Sequence, residues 1–523
     1  MVALLDSLRE APIVLKCRES RKFLIFIVYV ALFLDNMLLT TVVPIIPGYL
    51  LKIQSSNWSG ETYNEAEGSY QTTPESSPTV PAPLVFAEDN TAIPWYARDT
   101  QLEYPYMDLR KRQGQPEVAP DEASPSDSQK ELQQERLNRE NVQVGIMFGS
   151  KALLQLLTNP FVGPVTNRIG YTIPMFTGFA VMFFSTLLFA FASSYGVLVL
   201  ARTLQGIGSA CTSTSGMGMI AQAYPDDQER GAAMGVALGG LALGVLVGPP
   251  YGGFLYEASK SKALPFLLLA ILALFDGTLQ FVVLQPKVQK GEQEATAMME
   301  LIKDPYILIA AGAITIGNLG IAVLEPTLPI WMMQTMGAKP AIRGAAFLPA
   351  SISYLIGTNI FGPLAHKIGR WLSTMLGLII IGCCLLAIPS ATDLTGLIAP
   401  NGFLGFAIGM IDASMFPQMG FLVDLRHMGV YGSVYAIADA AFCLAFAFGP
   451  YIGGPIVQSV GFAKMTYVIA AISFLYAPLM LFLRNPPQIA TEKQQLLMND
   501  ECSGGTYEPF EETREAANYE YDY

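Results

Sequence analysis

The segment GPVTNRIG at residues 163–170 recurs as GPLAHKIG at residues 362–369. A second pair, GPPYGG at 248–253 and GPYIGG at 449–454, repeats at an offset of 201, against 199 for the first pair. Two matches at nearly the same offset make chance an unlikely source of the repeat. The chain is therefore predicted to consist of two related halves.

The apolar character of the chain predicts a membrane protein. Of the 523 residues, 52% are hydrophobic and 14% are charged, whereas soluble proteins carry about 25% charged residues. This deficit excludes an ordinary soluble enzyme and a disordered chain. Apolar stretches of about 20 residues cross a bilayer as helices, and twelve are predicted here. They lie near 23–50, 142–162, 172–192, 195–222, 231–256, 263–284, 306–333, 345–366, 371–389, 394–422, 431–458 and 464–484.

The net charge of −12 comes from two polar segments. Residues 51–140 contribute −8 and residues 485–523 contribute −7, so the apolar body carries +3. Basic residues gather before the first span and in alternate loops, which predicts that both termini are cytosolic. The predicted organisation is a tail at 1–22, a half at 23–284 with a lumenal loop at 51–140, a connector at 285–305, a second half at 306–484 and an acidic tail at 485–523.

Ionisable residues inside the predicted spans are candidate functional residues, because each costs about 3 kcal/mol to insert. They are Asp35, Lys151, Arg202, Asp276, Glu325, Asp412 and Asp439. The excess of acids favours a cationic substrate or protons, although any one of them fits a structural ion pair as well. Lys151 is expected to neutralise Asp439 or Asp412. Asp276 is the weakest candidate.

Aromatic side chains cluster near these charges, and aromatic faces attract cations. They are Phe148, Trp331, Phe347, Tyr354, Tyr435 and Phe442. Plain packing is the alternative for each. Trp331 and Phe347 are predicted to flank the lumenal end of the cavity as a gate.

Two six-span halves joined by a connector describe the major facilitator fold, an all-α polytopic architecture with twelve transmembrane helices. The glycines at 235, 244, 248, 252 and 253 resemble the antiporter motif of proton-coupled exporters in this superfamily. Such spacing lets helices approach closely. The segment 163–170 resembles the cytosolic gate motif, but Asn167 stands in place of the usual Asp, so a charged latch is not expected there.

Several longer segments resemble the vesicular amine transporters, and in particular their monoamine branch. They are LDNMLL at 34–39, VPIIP at 43–47, LEPTLPIWMM at 324–333, FLPASISYLIGTN at 347–359, VDLRH at 423–427 and VYGSVYAIAD at 430–439. The vertebrate members have a lumenal disulfide for which this chain has no cysteines, which favours an invertebrate member. Phe446 replaces a usual Tyr.

The resemblance implies a role for each candidate. Asp35, Asn36 and Glu325 would receive the substrate ammonium, while Asn318 and Tyr354 line the pocket. Lys151, Asp412 and Asp439 would form the proton-coupled network, and Arg202 would pair with Glu325 in part of the cycle. Phe148, Trp331 and Phe347 would close the lumenal side, and Tyr435 with Phe442 the cytosolic side.

Two further motifs concern processing and sorting. Asn57 opens the sequon Asn57-Trp58-Ser59 in the predicted lumenal loop. Glu492 with Leu496 and Leu497 forms a dileucine-type signal that clathrin adaptors read.

The predicted function is proton-coupled loading of cytosolic monoamines into acidic secretory or synaptic vesicles, with two protons leaving per amine. No cofactor or metal is expected beyond the gradient of a vacuolar ATPase, and reserpine- and tetrabenazine-like inhibitors are expected ligands. Membrane lipid is an expected partner and nucleic acid is not. Three alternatives remain: a vesicular acetylcholine transporter, a multidrug exporter, and a transport-inactive vesicle scaffold. No enzymatic site is evident.

Overall fold

A computed structural model describes residues 20–66, 127–259, 261–284, 298–338, 340–427 and 431–488. In this part of the chain twelve helices have fifteen or more residues. They are α1 (Arg21–Ala66), α2 (Asp127–Ile169), α3 (Thr172–Phe191), α4 (Tyr195–Ala223), α5 (Asp227–Ser259), α6 (Ala263–Val283), α7 (Pro305–Met336), α8 (Leu348–Ile368), α9 (Arg370–Ala387), α10 (Leu394–Arg426), α11 (Gly432–Val460) and α12 (Phe462–Tyr476). Short helices cover Met298–Lys303 and Pro340–Ala345, and a 3₁₀ segment, Ala477–Leu483, extends α12.

Each predicted span falls on one of these helices. Ten of the helices are long and apolar enough to cross a membrane. The other two, α2 and α4, carry polar side chains along one face, which lowers their hydropathy. Those side chains belong to the site described below.

The two halves have the same helix packing. In the first half α1 packs on α5, α2 on α4, and α3 on both α4 and α6. In the second half α7 packs on α11, α8 on α10, and α9 on both α10 and α12. The pattern therefore repeats with a shift of six helices, as the sequence repeat predicts. The halves meet where α2 packs on α11 and α5 on α8.

The repeated GPxxxxIG segment has the same two structural roles in each half. Its first glycine lies at the contact between the halves. A Cβ on Gly163 would meet the Cβ of Ala436 at 2.8 Å, and a Cβ on Gly362 would meet the carbonyl oxygen of Gly231 at 3.0 Å. Its last glycine has a positive φ, 86° at Gly170 and 93° at Gly369. Only glycine adopts this conformation without strain, so the chain reverses there into the next helix.

Glycines at every fourth residue of α5 bring that helix against α1. A Cβ on Gly244 would clash with the carbonyl oxygen of Phe33, and one on Gly248 would clash with the Thr40 hydroxyl. Thr41 Oγ1 donates to the Gly248 carbonyl at 3.4 Å across the same interface. The glycine motif thus sets the position of the helix that carries Asp35.

We expect Gly244→Ala to destabilise the protein by about 1–3 kcal/mol, because the added methyl group overpacks this interface. Thermal unfolding of the purified protein measures the effect. Gly454→Ala is the matched control, since a Cβ at Gly454 meets no atom of the described residues within 4 Å. Equal melting temperatures for the two variants would contradict the packing role of Gly244.

Candidate functional site

Asp35 is the centre of a buried ionic cluster between three helices. Its carboxylate on α1 accepts from Lys151 Nζ on α2 at 2.9 Å and from the Ser209 hydroxyl on α4 at 2.5 Å. Asp35 and Lys151 are each 5% exposed. The prediction that Lys151 neutralises Asp439 or Asp412 is therefore wrong. Asp35 is its ion-pair partner, while Asp439 and Asp412 are held by neutral donors instead.

Asp439 on α11 is held by neutral groups, most of them from the first half of the chain, and the Cys443 thiol on α11 also contacts it at 4.0 Å. Gln155 Nε2 donates to both carboxylate oxygens, at 2.9 and 3.2 Å, and Asn159 Nδ2 donates at 2.8 Å. The hydroxyl of Ser213 is a further donor. This cluster crosses the interface between α2 and α11, so it links the two halves.

The donors to Asp35 and Asp439 form two polar stripes that the sequence analysis missed. Lys151, Gln155 and Asn159 follow each other at four-residue intervals on α2, and Ser209 and Ser213 do so on α4. Residues four apart share one face of a helix, so each stripe runs from one carboxylate to the other. The signal available in the sequence was this spacing of polar residues within otherwise apolar spans.

Asp412 on α10 lies in a separate buried cluster within the second half. It accepts from Asn318 Nδ2 on α7 and from the Tyr354 hydroxyl on α8, each at 3.0 Å. Three residues that the sequence analysis singled out are thus in direct contact. The carboxylate itself is fully buried, with an exposed fraction of 0%.

Glu325 and Arg202 are not paired in this conformation. Glu325 is exposed, although its neighbours Leu324 and Leu328 are buried, and none of the described residues forms a hydrogen bond or ion pair with it. Arg202 donates to the Leu39 carbonyl at 2.7 Å and to Gln205 Oε1 at 2.8 Å. Asn36, next to Asp35, is buried and donates to the Leu32 carbonyl.

The predicted gate aromatics fall into two groups. Trp331 stacks on Phe462 with ring centroids 4.8 Å apart, and no described ring contact joins it to the half-buried Phe347. Tyr435 is 1% exposed, and Phe442 packs on Phe446 at 4.9 Å. Phe446 therefore keeps the aromatic contact without a hydroxyl. The side chain of Phe148 lies outside what the structure describes.

An ionic latch joins the halves at the face of the bundle where α1 begins and α12 ends, here called the terminal face. Arg230 on α5 is 1% exposed and pairs with Asp424 at 2.7 Å and with Asp227 at 2.9 Å. Asp227 also pairs with Arg370 at 2.9 Å and contacts His366 Nδ1 at 3.2 Å. The sequence analysis missed this latch, because its members lie at helix ends far apart in the chain.

Asn167 occupies the matching position in the other half of the repeat. Its Nδ2 donates to the Ser433 hydroxyl at 2.8 Å, across the contact between α2 and α11. The terminal face is therefore closed by a neutral contact at one edge and by ion pairs at the other.

Other predicted residues lie apart from the site. Asp276 on α6 accepts from Gln280 at 2.7 Å and contacts none of the other predicted site residues. The side chain of Asn57 and the residues Glu492, Leu496 and Leu497 lie outside the described residues. The four described cysteines, Cys211, Cys383, Cys384 and Cys443, are free.

Comparison with known proteins identifies the family. A model of the Major Facilitator Superfamily matches residues 132–438. A synaptic vesicular amine transporter of Rattus norvegicus is 54% identical over 93% of this chain and 92% of its own length, and the Homo sapiens protein of that name has the same identity and coverage. The chain belongs to the vesicular amine transporter family of the major facilitator superfamily.

The remaining comparisons agree with this membership. A Homo sapiens vesicular acetylcholine transporter is 38% identical over 94% of this chain and 88% of its own length. The crystal structure of the human organic anion transporter MFSD10 (TETRAN) has a TM-score of 0.65 at 15% identity, over 88% of this chain and 99% of that one, and it supports the fold alone. As a vesicular amine transporter family member, the protein is a carrier and not an enzyme.

We expect Asp227→Asn to open the terminal face more often, because the amide cannot replace the charge that holds Arg370 and Arg230. A cysteine at Ala233, which lies three residues after Arg230 on α5 and is 4% exposed, should react about tenfold faster with a maleimide, as loss of a charged hydrogen bond implies. The control is Asp393→Asn at the opposite face, where Asp393 caps α10 through the Gly396 N–H. An unchanged labelling rate would remove Asp227 from the latch.

A second ionic cluster joins α7 to α10 at the terminal face. Asp304, the N-cap of α7, accepts from the Tyr306 N–H, from Arg426 Nε at 2.7 Å and from His427 Nε2 at 2.9 Å. Burial opposes ionisation of Asp304, but hydrogen bonds from Arg426, Tyr306 and His427 outweigh it, and its pKa is held below the ordinary aspartate value.

We expect Asp304→Asn to lower the melting temperature at pH 7.4. A carboxylate with a lowered pKa in the folded protein stabilises it above its unfolded pKa, and that contribution disappears as pH falls through the folded pKa. The difference between wild type and variant should therefore shrink in melts below about pH 4. A constant difference from pH 7.4 to the acid limit would show that the carboxylate charge is not the stabilising group.

Proposed function

We propose that the protein loads monoamines from the cytosol into acidic secretory or synaptic vesicles in exchange for protons. The observation that carries the proposal is the set of carboxylates in the membrane-spanning helices, at Asp35, Glu325, Asp412 and Asp439. A protonated monoamine presents an ammonium group that donates hydrogen bonds to such carboxylates. The greater similarity to vesicular amine transporters than to vesicular acetylcholine transporters supports the same substrate class.

Asp35 and Glu325 differ in how they meet the substrate. Glu325 is exposed and has no described partner, so an ammonium group reaches it directly. Asp35 is already bound to Lys151 and Ser209, so the substrate must compete with an ion pair. Protonation of Asp35 would break that ion pair. The Asp35 carboxylate can therefore bind either a proton or the substrate ammonium, but not both at once.

The closed terminal face supports a proposal for the conformation of this structure within the transport cycle. The terminal face is taken as cytosolic from the distribution of basic residues. With the latch at Asp227 and Arg230 formed and Glu325 exposed, the structure corresponds to a state closed to the cytosol and open to the lumen. Alternating access would open the latch and close the lumenal side.

Two protons leaving per amine would make the transport strongly concentrative. Each pH unit is worth about 1.4 kcal/mol per proton, so one unit of gradient supplies about 2.8 kcal/mol, or about a hundredfold accumulation. The net charge moved adds about 2.3 kcal/mol per 100 mV. The gradient of a vacuolar ATPase would supply this energy, and no bound cofactor is needed.

The remaining assignments extend the same proposal. Asn57 would be glycosylated in the lumen, and the dileucine signal at Leu496 and Leu497 would bind clathrin adaptors that return the protein to vesicles. Reserpine- and tetrabenazine-like amines would occupy the substrate cavity. Trp331 and Phe347 would meet only when the lumenal side closes.

The first test is serotonin uptake into vesicles from cells that express the protein. We expect uptake to require ATP and to stop when bafilomycin abolishes the proton gradient. Acetylcholine, which has no N–H to donate, should compete poorly in the same assay. Uptake that survives loss of the gradient would refute proton coupling, and preferential uptake of acetylcholine would refute the substrate class.

The second test is Asp35→Asn. We expect uptake per folded molecule to fall to background. The melting temperature should fall as well, because the variant leaves the Lys151 ammonium buried without its carboxylate, so uptake is normalised to the amount of folded protein. Asp276→Asn is the matched control, because it makes the same change in a buried carboxylate outside the clusters, and uptake should persist. Normal uptake by Asp35→Asn would exclude Asp35 from the site.

A further inference from the structure

Gln205 has an unused hydrogen-bond donor next to Arg202. It lies three residues beyond Arg202 on α4, on the same helix face, and is 1% exposed. Its Oε1 accepts from Arg202 Nη1 at 2.8 Å. Its Nε2 has no hydrogen-bond partner within the described part of the chain. A buried amide N–H without a partner destabilises the state that contains it, so a second conformation that satisfies this donor is favoured.

The Glu325 carboxylate is the best acceptor for the Gln205 Nε2 donor, because of its charge and because of its position in the internal repeat. Arg202 is a cation of the first half that hydrogen bonds to the oxygens of Leu39 and Gln205. Glu325 belongs to the opposite half and has no partner among the described residues. When the lumenal side closes and water leaves, its carboxylate needs donors.

Glu325 and Arg202 also lie at similar depths. Pro44-x2-Pro47 on α1 corresponds to Pro326-x2-Pro329 on α7, which places Glu325 at the level of Val43. Val43 follows Leu39, a contact of Arg202, by about one helical turn. An arginine or glutamine side chain is long enough to cover the distance of one helical turn.

We infer that Gln205 is a positioning residue for lumenal closure: its Oε1 orients the Arg202 guanidinium, and its free Nε2 becomes the second donor to Glu325. The inference rests on the proposed function and on the pairing of Arg202 with Glu325 that the family resemblance implies. It adds a neutral residue that makes the closed state depend on two donors from α4. Substrate bound at Glu325 would compete with both donors.

The experiment measures the closed population directly, without substrate. Spin labels are placed at the exposed Gly196 and Gln334, at the ends of α4 and α7 opposite the terminal face, after Cys17, Cys383 and Cys502 are changed to serine. Asp227→Asn is included to weaken the opposing latch and raise the closed population. Electron–electron distance measurements then give the ratio of closed to open forms.

We expect Gln205→Leu to lower this ratio about tenfold, as loss of a hydrogen bond to a charged acceptor implies. Gln205→Glu separates the two roles of the residue, because it can still accept from Arg202 but cannot donate to Glu325, and it should lower the ratio at least as much. Gln280→Leu, the same change at a buried glutamine of α6, is the matched control and should leave the ratio unchanged.

Coupling to Glu325 is tested in the same measurement. In a Glu325→Gln background, Gln205→Leu should have little further effect. A wild-type ratio for Gln205→Leu, full rescue by Gln205→Glu, or an equal effect with and without the Glu325 carboxylate would each overturn the inference. Because no amine is present, a failure of monoamine uptake would leave this result intact and would count against the proposed function alone.

Discussion

The ion pair between Asp35 and Lys151 is the interaction on which the rest of the site depends. A lone carboxylate or ammonium at this depth is costly, and each group relieves the cost of the other at 2.9 Å. The pair also ties α1 to α2, while Ser209 ties both to α4. Removing one member leaves a buried charge without compensation, which destabilises a protein far more than removing both.

The neutral clusters around Asp439 and Asp412 serve a different purpose. Amide and hydroxyl donors satisfy a carboxylate without fixing its charge, because hydroxyl groups also accept hydrogen bonds. Asp439 is bound by three such side chains from the first half, and Asp412 by two from the second half. These carboxylates can therefore change protonation state without leaving a cation stranded beside them.

The sequence was sufficient to predict the architecture, because the internal repeat and the apolar stretches are both visible along the chain. The position of Gly163 and Gly362 at the contact between the halves emerged only from the structure. The partner of Lys151 was not predictable. Asp35, Asp412 and Asp439 all lie in apolar spans, and only the packing of α1 against α2 decides which carboxylate lies within reach.

The latch was also beyond sequence analysis. Asp227, Arg230 and Arg370 look like ordinary charges at helix ends, which are frequent in any membrane protein. Their pairing depends on the crossing of α5 over α8, which a single sequence does not encode locally. In contrast, the donors Gln155, Asn159 and Ser213 had a visible helical spacing, and a search for polar stripes would have found them.

The unlike edges of the terminal face have a consequence for how the solution acts on the protein. Dissolved salt screens partly exposed charges such as Asp227 but has little effect on the amide–hydroxyl bond between Asn167 and Ser433. The salt concentration around the protein therefore changes the strength of the latch at Asp227 and leaves the contact between Asn167 and Ser433 unaltered. The two related halves are thus joined at the terminal face by two contacts of different chemistry.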